Sequence, residues 1–448
     1  MRFFQAFCVA LLPTAAVADI STDIAELGLS GARAKLEAQP SRSVDDQFAL
    51  GGILFLEAVE RAYGARWTYG FTGVTLPVPV LRTELPPNPN PEAFVPETMM
   101  QIMDRFVEDM NAVEEALSAL PDDADPSFVL NLPDLWLDID QNGERGENEG
   151  FSDLLTQSIM SRGQIMRLER ELEGTPDMPD PRAATIRFDG SDVHWLAAYA
   201  QVLQGAGELV LAFDPTSEIA KVMAFQDAIL EQQLTMLETL PADQVAGLRD
   251  LILRERPNLS GEEVDRLVAE MANRRINPGR PSPFGQFAQP VDVISIVIET
   301  LRHEPDPARI AKAQAHFLNM IEHNRDFWSS LDAETDNDRE WIPNATQTAA
   351  LGLELPGEIG PAWLAVLDDA EAILKGEALI PFWRFADGFG VDLNAYVADP
   401  GPVPIVEWIQ GSAALPYARQ GEVLDSNSWR QFRRMTRGQT GLLVILLN

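Results

Sequence analysis

The sequence predicts a mainly α fold: a multi-helix globular array with a few short strands or extended segments near the C-terminus. Three observations lead there. Apolar residues recur at helical spacing through most of the long segments. Those segments are separated by proline- and glycine-rich stretches that cannot continue a helix. The chain has 448 residues, 46% of them hydrophobic, which is enough to bury a substantial core.

The N-terminus comes first. "MRFFQAFCVALLPTAAVADIS" has a positive start at Arg2, a short apolar stretch, and small residues at Ala16 and Ala18 before Asp19. Residues 1–18 therefore read as a signal peptide, and Asp19 as the first mature residue. The apolar run is too short for a membrane span and is interrupted by Pro13. The one cysteine, Cys8, lies inside this segment, so the mature chain is expected to hold no disulfide. An exported protein of this size without disulfides fits a bacterial periplasmic or secreted setting.

Helices follow. "SVDDQFALGGILFLEAVERAY" offers Ser43 as an N-cap and one apolar face. "LPVPVLRTELPPNPNPEAFVP" is read as an ordered extended loop, because Val74, Leu76, Val78 and Val80 alternate with Pro77 and Pro79. "ETMMQIMDRFVEDMNAVEEALSAL" is amphipathic and stops at Pro121. "FSDLLTQSIMSRGQIMRLEREL" continues the helical pattern. "GSDVHWLAAYAQVLQGAGELVLAF" is nearly apolar all round, which places it centrally. "EIAKVMAFQDAILEQQLTML", "GEEVDRLVAEMANR", "VDVISIVIETLRH" and "ARIAKAQAHFLNMIEHNRDFW" add further helix. "INPGRPSPFGQFAQP" marks a boundary between a helical region 19–280 and a helical region 281–448, which can equally form one continuous domain. Near the end, "LIPFWRF" and "GLLVILLN" are read as buried strands or extended pieces.

The formal net charge is -35, from 34 Lys and Arg against 69 Asp and Glu. Such a charge repels nucleic acid and anionic lipid and favours cations as partners. The exception is "WRQFRRMTRG", whose Arg430, Arg433, Arg434 and Arg437 are expected to pair with carboxylates inside the protein.

The stretch with most chemical content is "DIDQNGERGENE", residues 138–149. Counting from Asp138, positions 1, 3 and 5 are Asp138, Asp140 and Asn142, position 6 is Gly143, position 7 is Glu144, and position 12 is Glu149. This resembles the EF-hand calcium loop and matches its pattern at every specified position. The resemblance covers these twelve residues only. It implies a Ca2+ site in which Asp138, Asp140, Asn142 and Glu149 ligate through side chains and Glu144 through its carbonyl. The sequence departs from the family at position 8, which is Arg145, and has no second loop to pair with. Pro133 also clips the entering helix. The implied site is therefore solitary and structural, and does not open a groove.

A second acidic run, "LDAETDNDREWIPN", alternates Asp332, Glu334, Asp336, Asp338 and Glu340, so a second cation near Asp332–Glu340 is a candidate. His316 and His323 lie two turns apart on one helix, with Glu322 and Asp326 nearby. No closer pair or third ligand at a known spacing accompanies them, so they read as ordinary, partly buried histidines. His194 reads as packed and hydrogen-bonded. There is no G-x-S-x-G, H-E-x-x-H, P-loop or G-x-G-x-x-G. Two functions remain: an exported calcium-binding protein with a structural ion and a protein or small-molecule partner, or an exported hydrolase using paired carboxylates in a cleft.

Overall fold

The structure is a computed structural model. It describes residues 20–71, 83–121, 123–159, 180–238, 240–255, 261–276, 288–352 and 355–436, with isolated residues elsewhere. Residues 1–19 with Cys8, where the signal peptide is expected, the alternating valines of 74–80, the greater part of the 276–290 boundary, and Arg437 lie outside the described residues.

The fold is mainly α. Among the described residues the first helices are α1 (Ile20–Glu37), α2 (Val44–Thr68), α3 (Thr98–Ser118), α4 (Phe151–Ile159) and α5 (Gly190–Phe213). Then come α6 (Thr216–Leu237), α7 (Ala242–Glu255), α8 (Gly261–Ile276), α9 (Ala288–Thr300) and α10 (Pro307–Ala333). The C-terminal part adds α11 (Ile359–Lys375), α12 (Leu393–Ala398), α13 (Ile405–Gln410) and α14 (Asn427–Met435).

Local chemistry sets the starts. Ser43 caps α2 by accepting the Asp46 amide at 3.1 Å. Asp189 and Asp192 form a reciprocal capping box at the head of α5. Asp306 caps α10, whose first residue is Pro307.

α5 is the central helix. It lies against α3 on one side and packs most extensively with α10, while α2 packs on α3. Its composition would allow a membrane span, yet 67% of its most apolar window is buried in the fold. It also carries buried Gln201, Gln204 and Glu208, which suit a protein neighbour better than lipid. Two glycines let its neighbours close in: a Cβ on Gly207 would stand 2.5 Å from the Val107 methyl, and one on Gly205 would stand 2.8 Å from the Phe317 ring.

The core is continuous in character but not in sequence. One cluster joins α1, α2 and the strands through Ile24, Leu36, Ile53, Leu137 and Ile186. A second joins α2, α3 and α5 through Phe48, Met110, Val113 and Ala200. A third joins α10, α11 and α14 through Phe327, Trp328, Trp363 and Phe432.

Two strand groups punctuate the helices. β1 (Phe128–Asn131) pairs antiparallel with β2 (Thr185–Phe188), Phe128 facing Phe188 and Asn131 facing Thr185. This pair lies in the first half, where the sequence predicts no strand. Four residues are too few to show a period of two. Near the C-terminus β3 (Ile380–Pro381), β4 (Phe389–Val391) and β5 (Ala418–Gln420) form a small antiparallel sheet in that order. β3 falls in "LIPFWRF", as expected. The other apolar run differs: Leu443, Val444 and Leu447 are helical, with Leu443 and Leu447 buried in the third cluster. A short, wholly apolar run looks the same for a buried strand and a buried helix.

Candidate metal centre

The loop 138–149 is held at both ends before any ion is considered. On entry, a 3-10 turn, Leu132–Asp134, stands where an entering helix would be. On exit, α4 begins at Phe151, as the sequence predicts. Trp136 and Gly150 bridge antiparallel across the neck. Leu137 N donates to Glu149 O at 2.9 Å and Phe151 N to Leu135 O at 3.0 Å, so positions 1 and 12 start close together. Trp136 is buried, donates from Nε1 to Ile24 O, and packs over Gly28 of α1, whose φ of +70° suits a residue without Cβ.

The loop lies along α2. Glu60 accepts the Asp138 amide at 2.7 Å, and Gln141 donates to the Thr68 hydroxyl at 3.1 Å. Burial pushes the Glu60 carboxyl up to about 7; the nearby Asp138 charge pushes the same way, and the Asp138 N–H opposes it.

Inside the loop, carboxylate oxygens of Asp138, Asp140 and Glu149 lie within 4.8 Å of one another. Oxygens bonded to one calcium at about 2.4 Å can stand at most about 4.8 Å apart, so the three fit around a common centre. Asp138 accepts the amides of Asn142 and Gly143, both at 3.0 Å. Gly143 has a φ of +79°, the left-handed turn expected at position 6. Glu149 is only 4% exposed. One of its oxygens accepts from Ile139 N and Asp140 N, the other from Gly146 N. These partners are neutral backbone amides, so a cation would supply the opposite charge that the buried carboxylate lacks among them.

Asn142 and Glu144 are placed less completely. Asn142 accepts the Glu144 amide at 2.6 Å and donates its side-chain amide to Asp140 at 2.9 Å. Ligation by Asn142 Oδ1 therefore needs that amide to turn. The Glu144 side chain is in solvent, consistent with a residue that would act through its carbonyl.

The second acidic run does not line up as five alternating carboxylates. Asp332 is exposed, Asp336 pairs with Arg187 at 2.7 Å, and Asp338 pairs with Arg339 at 2.8 Å. Only Glu334 and Glu340 turn inward, where Asp189 joins them with ligand atoms within 4.8 Å. The reason is that Glu340 is pinned on both sides of its backbone: Arg187 N donates to Arg339 O, and Ala350 N to Glu340 O. Asp189 and Asp192, missed from the sequence, arrive through the capping box of α5. Burial, then the Asp189 charge, drives the Asp192 carboxyl well above its ordinary range. Burial raises Glu340 as well, and lifts Glu334 to about 7. Such a group must take up protons or a cation.

The arginines of α14 depart from expectation. Arg430, Arg433 and Arg434 are exposed and make no ion pair among the described residues. Arg430 donates instead to Asn427 in its own helix. α14 seats its apolar face on α11 through Phe432, which turns the arginines outward. The arginines that pair with buried acids are elsewhere, among them Arg33 and Arg61 with Glu57, Arg61 and Arg105 with Asp109, and Arg309 with Glu208.

Compared with known protein families, with curated proteins and with solved structures, the chain matches none.

Proposed function

We propose that this chain is an exported, calcium-binding helical protein whose ion is structural. In this reading, calcium ties the loop 138–149 to α2 and to the Trp136 anchor on α1. The remaining surface serves a protein or small-molecule partner. The observation that carries the reading is the convergence of Asp138, Asp140 and the buried Glu149 in a loop of EF-hand pattern. Hard carboxylate oxygens without strict angles suit calcium better than magnesium, which needs a tighter octahedron.

The hydrolase reading would use Asp189, Glu334 and Glu340, and a carboxyl held near 7 is what a general acid needs. Asp189 and Glu340 are 7% and 3% exposed, however. Nearly sealed carboxylates suit protons or a second calcium better than a substrate, so we retain the binding function.

The test is denaturant unfolding in chelator and in millimolar calcium, for wild type, Asp138→Ala and Glu149→Gln. A solitary loop should bind at about 0.1–1 mM. Calcium at tenfold that constant should add about 1.4 kcal/mol to wild type and nothing to either variant. Glu149→Gln is chosen because alanine would also strand three amides. The fluorescence difference between wild type and Trp136→Phe should change with calcium. If neither stability nor that signal responds to calcium, the loop is a solvated turn. Export has its own check: the mass of the exported chain should begin at Asp19, and a retained Met1 or a lipid on Cys8 would contradict it.

A further inference from the structure

The four histidines divide into two kinds. His303 is fully engaged: Nδ1 meets the Phe213 and Asp214 carbonyls, and Nε2 meets Glu218 at 3.0 Å. His316 meets Gln201 Oε1 at 2.7 Å. These are hydrogen-bonded histidines of the ordinary structural sort. His194 and His323 differ, since neither makes a hydrogen bond among the described residues. His323 Nδ1 is sealed from solvent and has no partner. A buried ring nitrogen of this kind is costly to leave without a partner.

These two histidines meet each other. His194 lies in the second turn of α5 and His323 in the second half of α10, and these two helices pack more extensively than any other pair among the described residues. Their rings stand 6.1 Å apart, tilted by 34°. Asp326, three residues beyond His323 and so on the same face of α10, brings a carboxylate to the same point. One ligand atom from each of the three lies within 4.8 Å of the other two. Asp326 is exposed and makes no ion pair among the described residues, so it is free to swing. Around a tetrahedral ion with bonds of about 2.0–2.2 Å, ligand atoms stand about 3.4 Å apart. Side-chain rotation of Asp326 and small tilts of the two rings cover the difference.

We propose that His194, His323 and Asp326 form a site for a zinc-class divalent ion that clamps α5 to α10. The donor set selects the metal class. Two imidazole nitrogens and one carboxylate suit zinc and its neighbours and are poor ligands for calcium, so this ion is distinct from that of the loop 138–149. Three protein ligands leave a fourth position, on the exposed side of Asp326, for water or a small ligand. The sequence hides this constellation because its halves lie on different helices. His323-x-x-Asp326 alone has no second histidine at a local spacing.

The experiment is zinc titration of the full chain against a chromophoric chelator, with cobalt absorption as a geometry probe. Wild type should take up one equivalent of zinc, and cobalt should give a tetrahedral or five-coordinate spectrum. His194→Ala and His323→Ala should each weaken binding by at least about tenfold, since even losing a supporting residue costs that much. Asp326→Ala, at an exposed position that leaves folding intact, should weaken it and alter the cobalt spectrum. Asp138→Ala and His303→Ala should bind zinc as wild type does. The proposal is overturned if the double variant His194→Ala/His323→Ala retains the wild-type equivalent, if wild type binds none, or if the zinc is lost with His303→Ala instead.

Discussion

Arg309→Met should destabilise the protein by about 3 kcal/mol, and adding Glu208→Gln should restore most of that loss. Glu208 lies on the central helix α5 and its side chain is 3% exposed. Arg309 of α10 holds it at 2.9 Å and reaches Asp104 of α3 at 2.8 Å with its other arm. One guanidinium thus ties three helices. Breaking a buried pair from one side costs about 3–5 kcal/mol, because a desolvated charge is left behind. Lys312, at 3.6 Å from Glu208, offsets part of this, so the lower end is expected. Replacing both partners removes the stranded charge, which is why the double variant recovers. Denaturant unfolding of the four proteins of this cycle measures the coupling directly. The melting temperature is a blunt readout here: a cooperative unit of this length moves by only about 1 °C per kcal/mol. A single Arg309→Met within 0.5 kcal/mol of wild type would mean that Glu208 is solvated or paired elsewhere once the guanidinium is gone.

This triad shows what the sequence could and could not disclose. The helices were legible because each is a local pattern: the apolar stripe of α3, the cap at Ser43 and the all-round apolarity of α5 need no knowledge of the rest of the chain. Which helix faces which was not legible. Glu208, Arg309 and Asp104 are distant in sequence, and in a chain of 69 acids no pairing stands out. The basic cluster of α14 drew the expected network to itself because it was conspicuous. The fold instead uses single arginines on amphipathic helices that bury one face.

The candidate sites follow the same rule. The loop 138–149 is contiguous, so its spacing could be read directly, down to Gly143 with its positive φ. Its docking on α2 through Glu60 could not. The alternation of the second acidic run suggests an extended row, but backbone bridges at Glu340 and arginine pairs at Asp336 and Asp338 scatter it. Glu334 and Glu340 then meet Asp189, whose visible role in sequence is only to start a helix. That His194 meets His323 was hidden for the same reason, since they stand on different helices.

In chelator, stability should fall as pH rises from about 5 to 8, and Glu334→Gln should flatten that fall. The sign follows from which state holds more protons. Glu334 and Glu60 titrate at about 7 in the folded protein, and Asp192 and Glu340 are also raised, chiefly by burial. In the unfolded chain such groups titrate near 4. Between the two values the folded state binds more protons, so stability is fully present below the unfolded pKa and is lost as pH passes the folded one. His303, raised by its Glu218 partner against the effect of burial, acts in the same direction near neutrality. His316 and His323, lowered by burial, act in the opposite direction and only below about 6.5. Glu371, held down at about 2 by Arg325, has finished titrating before the window opens. The net fall should be on the order of 2–4 kcal/mol, after discounting Glu334 for its partial exposure. Glu334→Gln keeps the hydrogen bond from Gln347 and removes one charge from the group around Asp189. It should therefore leave stability at pH 5 unchanged and raise it at pH 8 by about 1–2 kcal/mol. Millimolar calcium separates the two ways of neutralising the group. If a second ion sits among Asp189, Glu334 and Glu340, calcium flattens the profile of Asp138→Ala, whose loop site is disabled. If protons alone occupy it, the Asp138→Ala profile is the same with and without calcium. A profile that rises from pH 5 to 8 in chelator would show that these carboxylates are solvated and that the cluster holds no extra protons in the folded state.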